Sequence, residues 1–213
     1  MNRITLALLL SLSTAACKDP AKDAAKAQIS APADLASTQR LVGGVEHPFS
    51  ATASKVAFVG SKVTGSHDGS FGTFSGSVAL VDNDPERSQV SVEIDTTSVT
   101  TDQPKLTGHL KSPDFFDTAT YPKAKFVSTS VKKGGDKGAS HTVTGNLELH
   151  GVTKQISFPA TISVGEGKVD VDADFAINRK DFGINYRGKA DDLIRDEVVM
   201  KLSIRAQKKV NGA

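Results

Sequence analysis

The side chains able to do chemistry are few, and they do not converge along the chain. Cys17 is the lone cysteine of 213 residues, so neither an intramolecular disulfide nor a cysteine zinc cluster can form. His141 and His150 differ by an odd number of positions, which on a regular strand turns them to opposite faces. No compact His-Glu-x-x-His spacing occurs either, so no metal site is expected. There is no Gly-x-Ser-x-Gly elbow, no Walker loop and no dinucleotide fingerprint, and no catalytic residue is assigned. What remains is binding chemistry. His67, in the stretch Gly65 to Gly69, and His109 could each donate a hydrogen bond to an acceptor oxygen on a ligand. For both, a structural histidine with satisfied hydrogen bonds is the stronger reading. Asn178, Arg179 and Asp181 could orient a polar headgroup, although an Arg-Asp pair that fixes a loop is the simpler role. Asp114 is placed to cap the turn after Pro113.

Cys17 carries the clearest chemistry. Arg3 precedes an apolar stretch from Leu6 to Leu12, and small residues end in Ala15-Ala16-Cys17. Residues 1–16 therefore read as a signal peptide. The small-residue site followed at once by Cys resembles a bacterial lipobox, with Thr14 where Leu is usual. That reading makes Cys17 a lipidated first residue of the mature chain, with ordinary secretion as the alternative. No other apolar run approaches the roughly 20 residues of a spanning helix, so the lipid alone would supply attachment. The expected location is the bacterial cell envelope, on the periplasmic side, anchored to the inner or the outer membrane.

Charge narrows the partners. The chain holds 26 Lys and Arg against 24 Asp and Glu, and loss of Arg3 leaves 25 against 24. A surface so nearly neutral lacks the basic excess that phosphate neutralisation needs, which argues against nucleic acid. The expected partners are a small apolar ligand and the membrane. Pairing of two barrels into a homodimer stays open.

The elements that must position these residues are strands. Residues 17–50 hold the lipidated Cys and a stretch rich in Ala, Lys, Asp and Pro, read as a flexible linker without fixed structure. A flexible segment of that length spans roughly 30 Å. From Ser54 onward the pattern becomes two-residue alternation. Val90, Val92 and Ile94 share one face of Gln89 to Asp95. Val171, Phe175 and Ile177 share a face of Val169 to Ile177, and Met200, Leu202 and Ile204 one of Val198 to Ala206. Further strands are predicted at Lys55 to Val63, Phe71 to Val81, Lys123 to Val131, His141 to Leu149 and Val152 to Val164, with turns at Asn83 to Pro85, Gly134 to Asp136 and Gly165 to Gly167. One helix is predicted, Pro104 to Lys111, stopped by Ser112-Pro113. The fold class is all-β: an eight-stranded antiparallel, lipocalin-like barrel with one short helix, over residues 51–209 and followed by a tail at 210–213. Closure would remove the edges of an open sheet, and eight strands leave room for packed side chains or one small ligand. The absence of Trp and the small inward residues Ala173 and Ala206 point to an interior that is incompletely filled.

Four runs in order resemble the YceI-like family of bacterial periplasmic proteins. They are Ser54 to Gly76, with its His-then-Gly signal; His109 to Phe126, with Asp114-Phe115-Phe116 and Tyr121-Pro122; Gly145 to Pro159; and Ala176 to Tyr186, with Asn178-Arg179-Lys180-Asp181-Phe182-Gly183. Phe58 stands where the family often has Trp, and Thr107-Gly108 where an Arg-Asp pair often precedes His-Leu. The resemblance implies a binding role without catalysis: a barrel whose apolar channel takes a quinone-like isoprenoid or a fatty-acid-like amphiphile, held non-covalently and without a cofactor. A structural or partner-binding envelope lipoprotein with a filled barrel is the alternative, and an enzyme acting on a bound lipid a distant third.

The ligand-binding candidates are accordingly Phe58, His67, Phe71, Leu106, His109, Leu110, Phe115, Phe126, Phe158, Phe175, Asn178 and Phe182. For any single Phe, core packing is the competing role. Phe126 and Phe175, both mid-strand, are the best channel positions. Phe115 and Phe116 are adjacent, so an extended segment would turn only one of them inward.

Overall fold

The computed structural model describes residues 19–35 and 44–208. The expected signal peptide, Cys17 and the 210–213 tail lie outside them. Two short strands come first, β1 (Ala25–Lys26) and β2 (Gln28–Ser30). Then follow β3 (Val45–Ser50), β4 (Lys55–Lys62), β5 (Gly65–Phe71), β6 (Phe74–Val81), β7 (Asp84–Asp95) and β8 (Val99–Thr101). The helix α1 (Pro104–Leu110) leads to β9 (Lys123–Lys133), β10 (His141–Leu149), β11 (Val152–Gly165) and β12 (Lys168–Asn178). A small hairpin of β13 (Gly188–Lys189) and β14 (Asp192–Leu193) precedes β15 (Glu197–Gln207).

Eleven of these strands form one curled antiparallel sheet in the order β3-β6-β7-β9-β10-β11-β12-β15-β4-β5-β8, a half-barrel. All eight predicted strands are present in it, and β3, β5 and β8 extend the ladder beyond them. The apolar faces read from alternation point inward. Val92, Val171, Met200 and Leu202 pack against both of the large buried clusters, which contain Phe49, Phe58 and Phe71 on one side and Phe126, Phe158 and Phe175 on the other. A fully buried side chain of this size is worth about 1.5–3 kcal/mol.

Glycines beneath three of these rings keep the lumen open. Phe58 pairs across the ladder with Gly69, and a Cβ added there would fall inside its ring. Phe49 lies over its ladder partner Gly76 in the same way, and a Cβ on Gly145 would meet the ring of Phe126. With no side chain beneath it, each ring can lie against the wall instead of standing into the centre.

Three local expectations are corrected. The stretch Gly65 to Gly69, read as a connection that carries His67, is the start of β5. The turn placed at Asn83 to Pro85 falls at Asp82 and Asn83, with φ of 53° and 57°, and β7 already begins at Asp84. The third correction concerns residues 17–50. Their described part is not an unstructured linker: β1 runs parallel to β12, β2 antiparallel to β11, and β3 pairs with β6. Ala21 is fully buried with Val59, Ala176 and Val199. Small residues with no strong period acquire structure here because two other strands supply their hydrogen bonds.

Candidate functional site

Two apolar cavities lie inside the sheet. The deep one, about 120 Å³, is lined by hydrocarbon side chains and Met200 throughout. Its walls are the inward faces of β7 (Val90, Val92, Ile94), β12 (Val171, Phe175, Ile177) and β15 (Met200, Leu202, Ile204). Phe158 and Phe175 stack with ring centroids 4.1 Å apart, and Phe126 tilts against Phe158 at 5.8 Å. The inner cavity, about 140 Å³, adjoins it through the common lining residues Ile94, Leu147, Ile177 and Met200. Phe58, Phe71, Leu110, Phe115 and Phe116 form much of its wall. Beyond it an outer cleft of about 250 Å³ shares Phe58, Ser61, Leu110 and Phe115 and adds His67, Gln103 and Leu106. The three hollows succeed one another from hydrocarbon to a partly polar mouth.

Each cavity is close in size to the roughly 150 Å³ apolar cavity that stays dry and takes a benzene-sized guest. A slender chain one methylene wide suits such a bore better than a broad headgroup does. A larger hollow of about 410 Å³ is bordered by Asp136, Lys137, Asp172, Asp174 and Lys201, which offer a hydrocarbon little.

Nine of the twelve candidates meet in this series: Phe126, Phe158 and Phe175 in the deep cavity, Phe58, Phe71, Leu110 and Phe115 in the inner one, His67 and Leu106 at the cleft. His67 Nδ1 lies 3.0 Å from Asp102 Oδ1, which fixes its ring. Three candidates do not line the series and are corrected. His109 Nε2 lies 2.7 Å from Asp114 Oδ2, and its ring packs edge-on against Phe115 and Tyr186 at 4.9 and 5.0 Å, so it braces the wall from behind. Asn178 turns its side-chain oxygen to the backbone N–H of Lys180 at 2.9 Å and caps a 3-10 turn. Phe182 is wholly buried in that turn, within the core beside the cavity. Asp114 likewise serves His109 in place of the expected turn.

Phe115 and Phe116 both line the inner cavity, against expectation. The segment after α1 is a run of turns, with Phe116 N–H on Leu110 O at 3.0 Å and Asp117 at φ 44°, so strand parity does not apply. Among residues that sequence reasoning passed over, Ile94 and Met200 carried a signal, since each stood on a recognised inward face. Arg179, expected to fix a loop as half of an Arg-Asp pair, does fix one, with a different acid. It is buried, donating to Ile184 O at 2.7 Å and Arg195 O at 3.1 Å, and it pairs with Asp196 at 3.3 Å instead of with Asp181. Burial pushes its guanidinium below the ordinary value, and the Asp196 charge opposes that shift. Arg179 and Arg195 reach the inner cavity's lining. Among the described residues no cluster of His, Cys, Asp and Glu could hold a metal ion, and no helix is long and apolar enough to cross a membrane.

The sequence profile of the YceI-like domain matches residues 48–206. This chain belongs to the YceI-like family. A UPF0312 protein of Pseudomonas putida is 42% identical over 127 residues, covering 56% of this chain and 65% of that protein. Protein YceI of Escherichia coli O157:H7 is 40% identical over 123 residues, covering 54% of this chain and 62% of that protein. The matches thus span less than two thirds of these relatives' length. Among solved structures, Burkholderia cenocepacia BcnA aligns with a TM-score of 0.64 at 24% identity, over 75% of this chain and 99% of that one. A polyisoprenoid-binding domain from Saccharophagus degradans, described as implicated in plant cell wall breakdown, aligns with a TM-score of 0.61 at 20% identity, over 78% of this chain and 99% of that one. At such identities these structures establish that the YceI-like sheet is a shared fold.

Proposed function

We propose that this YceI-like protein is a lipid-anchored envelope carrier or reservoir for a long-chain apolar molecule, a quinone-like isoprenoid foremost. The deep cavity carries the reading: its lining offers no hydrogen bond, so a polar substrate would be desolvated there without compensation. Hydrocarbon gains about 25 cal/mol for each Å² withdrawn from water. The polar end of such a ligand belongs at the cleft, where His67 and Gln103 stand. The Saccharophagus degradans neighbour, described as polyisoprenoid-binding, supports the same class. Binding, with no catalysis, fits a lumen in which reactive side chains do not converge.

Organic extraction of the purified protein followed by mass spectrometry tests this. A stoichiometric isoprenoid or other long-chain lipid is expected, and repeated recovery of ligand-free protein would overturn the carrier role. A second reading, a partner-binding lipoprotein with a filled barrel, draws on one observation: each apolar cavity is smaller than the roughly 300 Å³ where ordinary ligand pockets begin. Ligand-free protein would favour it. The periplasmic anchor is proposed from Cys17. Cys17→Ser is expected to move the protein from the membrane to the soluble fraction with its lipid content unchanged, as read by fractionation. Persistent membrane attachment would place the anchor elsewhere.

A further inference from the structure

β11 and β12 are paired only from Thr161 with Asp172 to Gly165 with Lys168. Towards their other ends β11 stays with β10 and β12 with β15, so the two part and leave a slot in the wall. One short stretch of chain fills it. Ala25 and Lys26 lie parallel to β12, opposite Phe175 and Ala176, and Gln28, Ile29 and Ser30 lie antiparallel to β11, opposite Ser157, Ile156 and Gln155. Ala25, Ala27 and Ile29 turn inward while Lys26, Gln28 and Ser30 are exposed, the alternation of a wall strand. Both banks of the slot carry lining of the deep cavity: Ile156 and Phe158 on β11, Phe175 and Ile177 on β12.

The strap is held differently from the strands around it. Its inward side chains are two alanines and one isoleucine, so it buries little hydrocarbon. Latches at its ends and edges hold it instead: Asp19 on Arg195 at 3.2 Å, Lys26 on Glu197, and Ser30 Oγ on Gln155 at 3.2 Å. Asn146 on β10 is 7% exposed, and both its amide hydrogen bonds go to the backbone of Ala33, at 2.7 and 3.0 Å. A buried amide satisfied by this segment makes a receptor for it. If the strap leaves, the backbone groups it frees on both banks can be met by water.

We propose that the segment Ala25–Ser30 is a removable wall strand, a lateral port through which a long apolar chain enters and leaves the deep cavity. The inference rests on the carrier reading above. A chain that enters sideways need not be threaded end-on past the partly polar cleft. With Cys17 lipidated, Ala25 stands eight residues from the anchor, within about 30 Å of it, so the port opens near the bilayer. The family profile begins at residue 48, so the strap lies outside the matched domain.

The test locks the strap. In the full chain carrying Cys17→Ser, Gln28→Cys with Ser157→Cys places two thiols at opposed, cross-strand positions. Uptake of parinaric acid from phosphatidylcholine vesicles is then followed by fluorescence. The oxidised protein is expected to load more than about tenfold more slowly than the reduced one, with the amount bound at equilibrium unchanged. Equal rates overturn the port. Asn146→Ala removes the latch without needing a disulfide and is expected to speed uptake by about tenfold, with faster hydrogen exchange across Ala25–Ser30. Faster exchange with unchanged uptake overturns it as well. If the unlocked protein takes up no probe, the carrier reading falls and the port with it. Uptake that is indifferent to the lock removes the port alone.

Discussion

The deep cavity takes its lining from strands, whereas the inner cavity and the cleft take much of theirs from α1, the turns after it and the loop around Arg179. In the deep cavity one apolar face per strand suffices, because the pleat turns every second side chain inward. At the mouth no such rule holds. There the rings of Phe115 and Phe116 are set by turns, and a buried guanidinium ties loop carbonyls that have no ladder partner. The strand-built end depends on shape and area, and the loop-built end on a few polar bonds that must all be made.

Substitutions on the two sides should therefore differ in kind. Arg179→Ala is expected to have the largest effect. It leaves Ile184 O and Arg195 O without their donor, while Asp196 keeps Lys180 at 2.8 Å, and the expected loss is about 3 kcal/mol in urea unfolding. A loss below about 1 kcal/mol would erase the distinction, since the loop would then be held by packing as the strands are. Phe175→Ala should come next. A fully packed Phe costs about 3–5 kcal/mol on truncation, but one face of this ring already borders a cavity, so about 2 kcal/mol is expected, with loss of bound lipid read by extraction. The full packed-core cost with lipid content unchanged would mark a solid interior.

The smallest effect belongs outside both cavities. Arg205 holds Asp172 with two bonds of 2.8 and 3.0 Å on the exposed face, and this hydrogen bonding keeps the Asp172 carboxyl below its ordinary value. A carboxyl lowered in the folded state stabilises above its unfolded pKa of about 3.9. That stabilisation is lost as pH falls through the lowered folded value. Arg205→Gln should therefore cost less than about 1 kcal/mol at neutral pH, with the two proteins converging in acid. A difference that grew on acidification would reverse the assignment.

How much was legible follows the same division. Val92, Ile94, Val171, Phe175 and Met200 could be placed on inward faces because strand alternation is local, and two of the three strands concerned hydrogen-bond to each other along their whole length. His109, Asn178 and Phe182 could not. Each sits where the backbone leaves a regular period, and what decides its role is a group brought close by folding: Asp114 and Tyr186 for His109, the Lys180 N–H for Asn178, the surrounding core for Phe182.

By itself the sequence determined the class of the fold, the eight principal strands and the apolar character of the faces that meet inside. These follow from a two-residue period that any extended chain must express. Tertiary structure alone decided that β11 and β12 diverge, and that a stretch of Ala, Lys and Gln near the N-terminus closes the slot between them. Such a segment has no strand signal of its own. Its conformation is stabilised by hydrogen bonds to residues more than a hundred positions away, and those exist only once the sheet has formed.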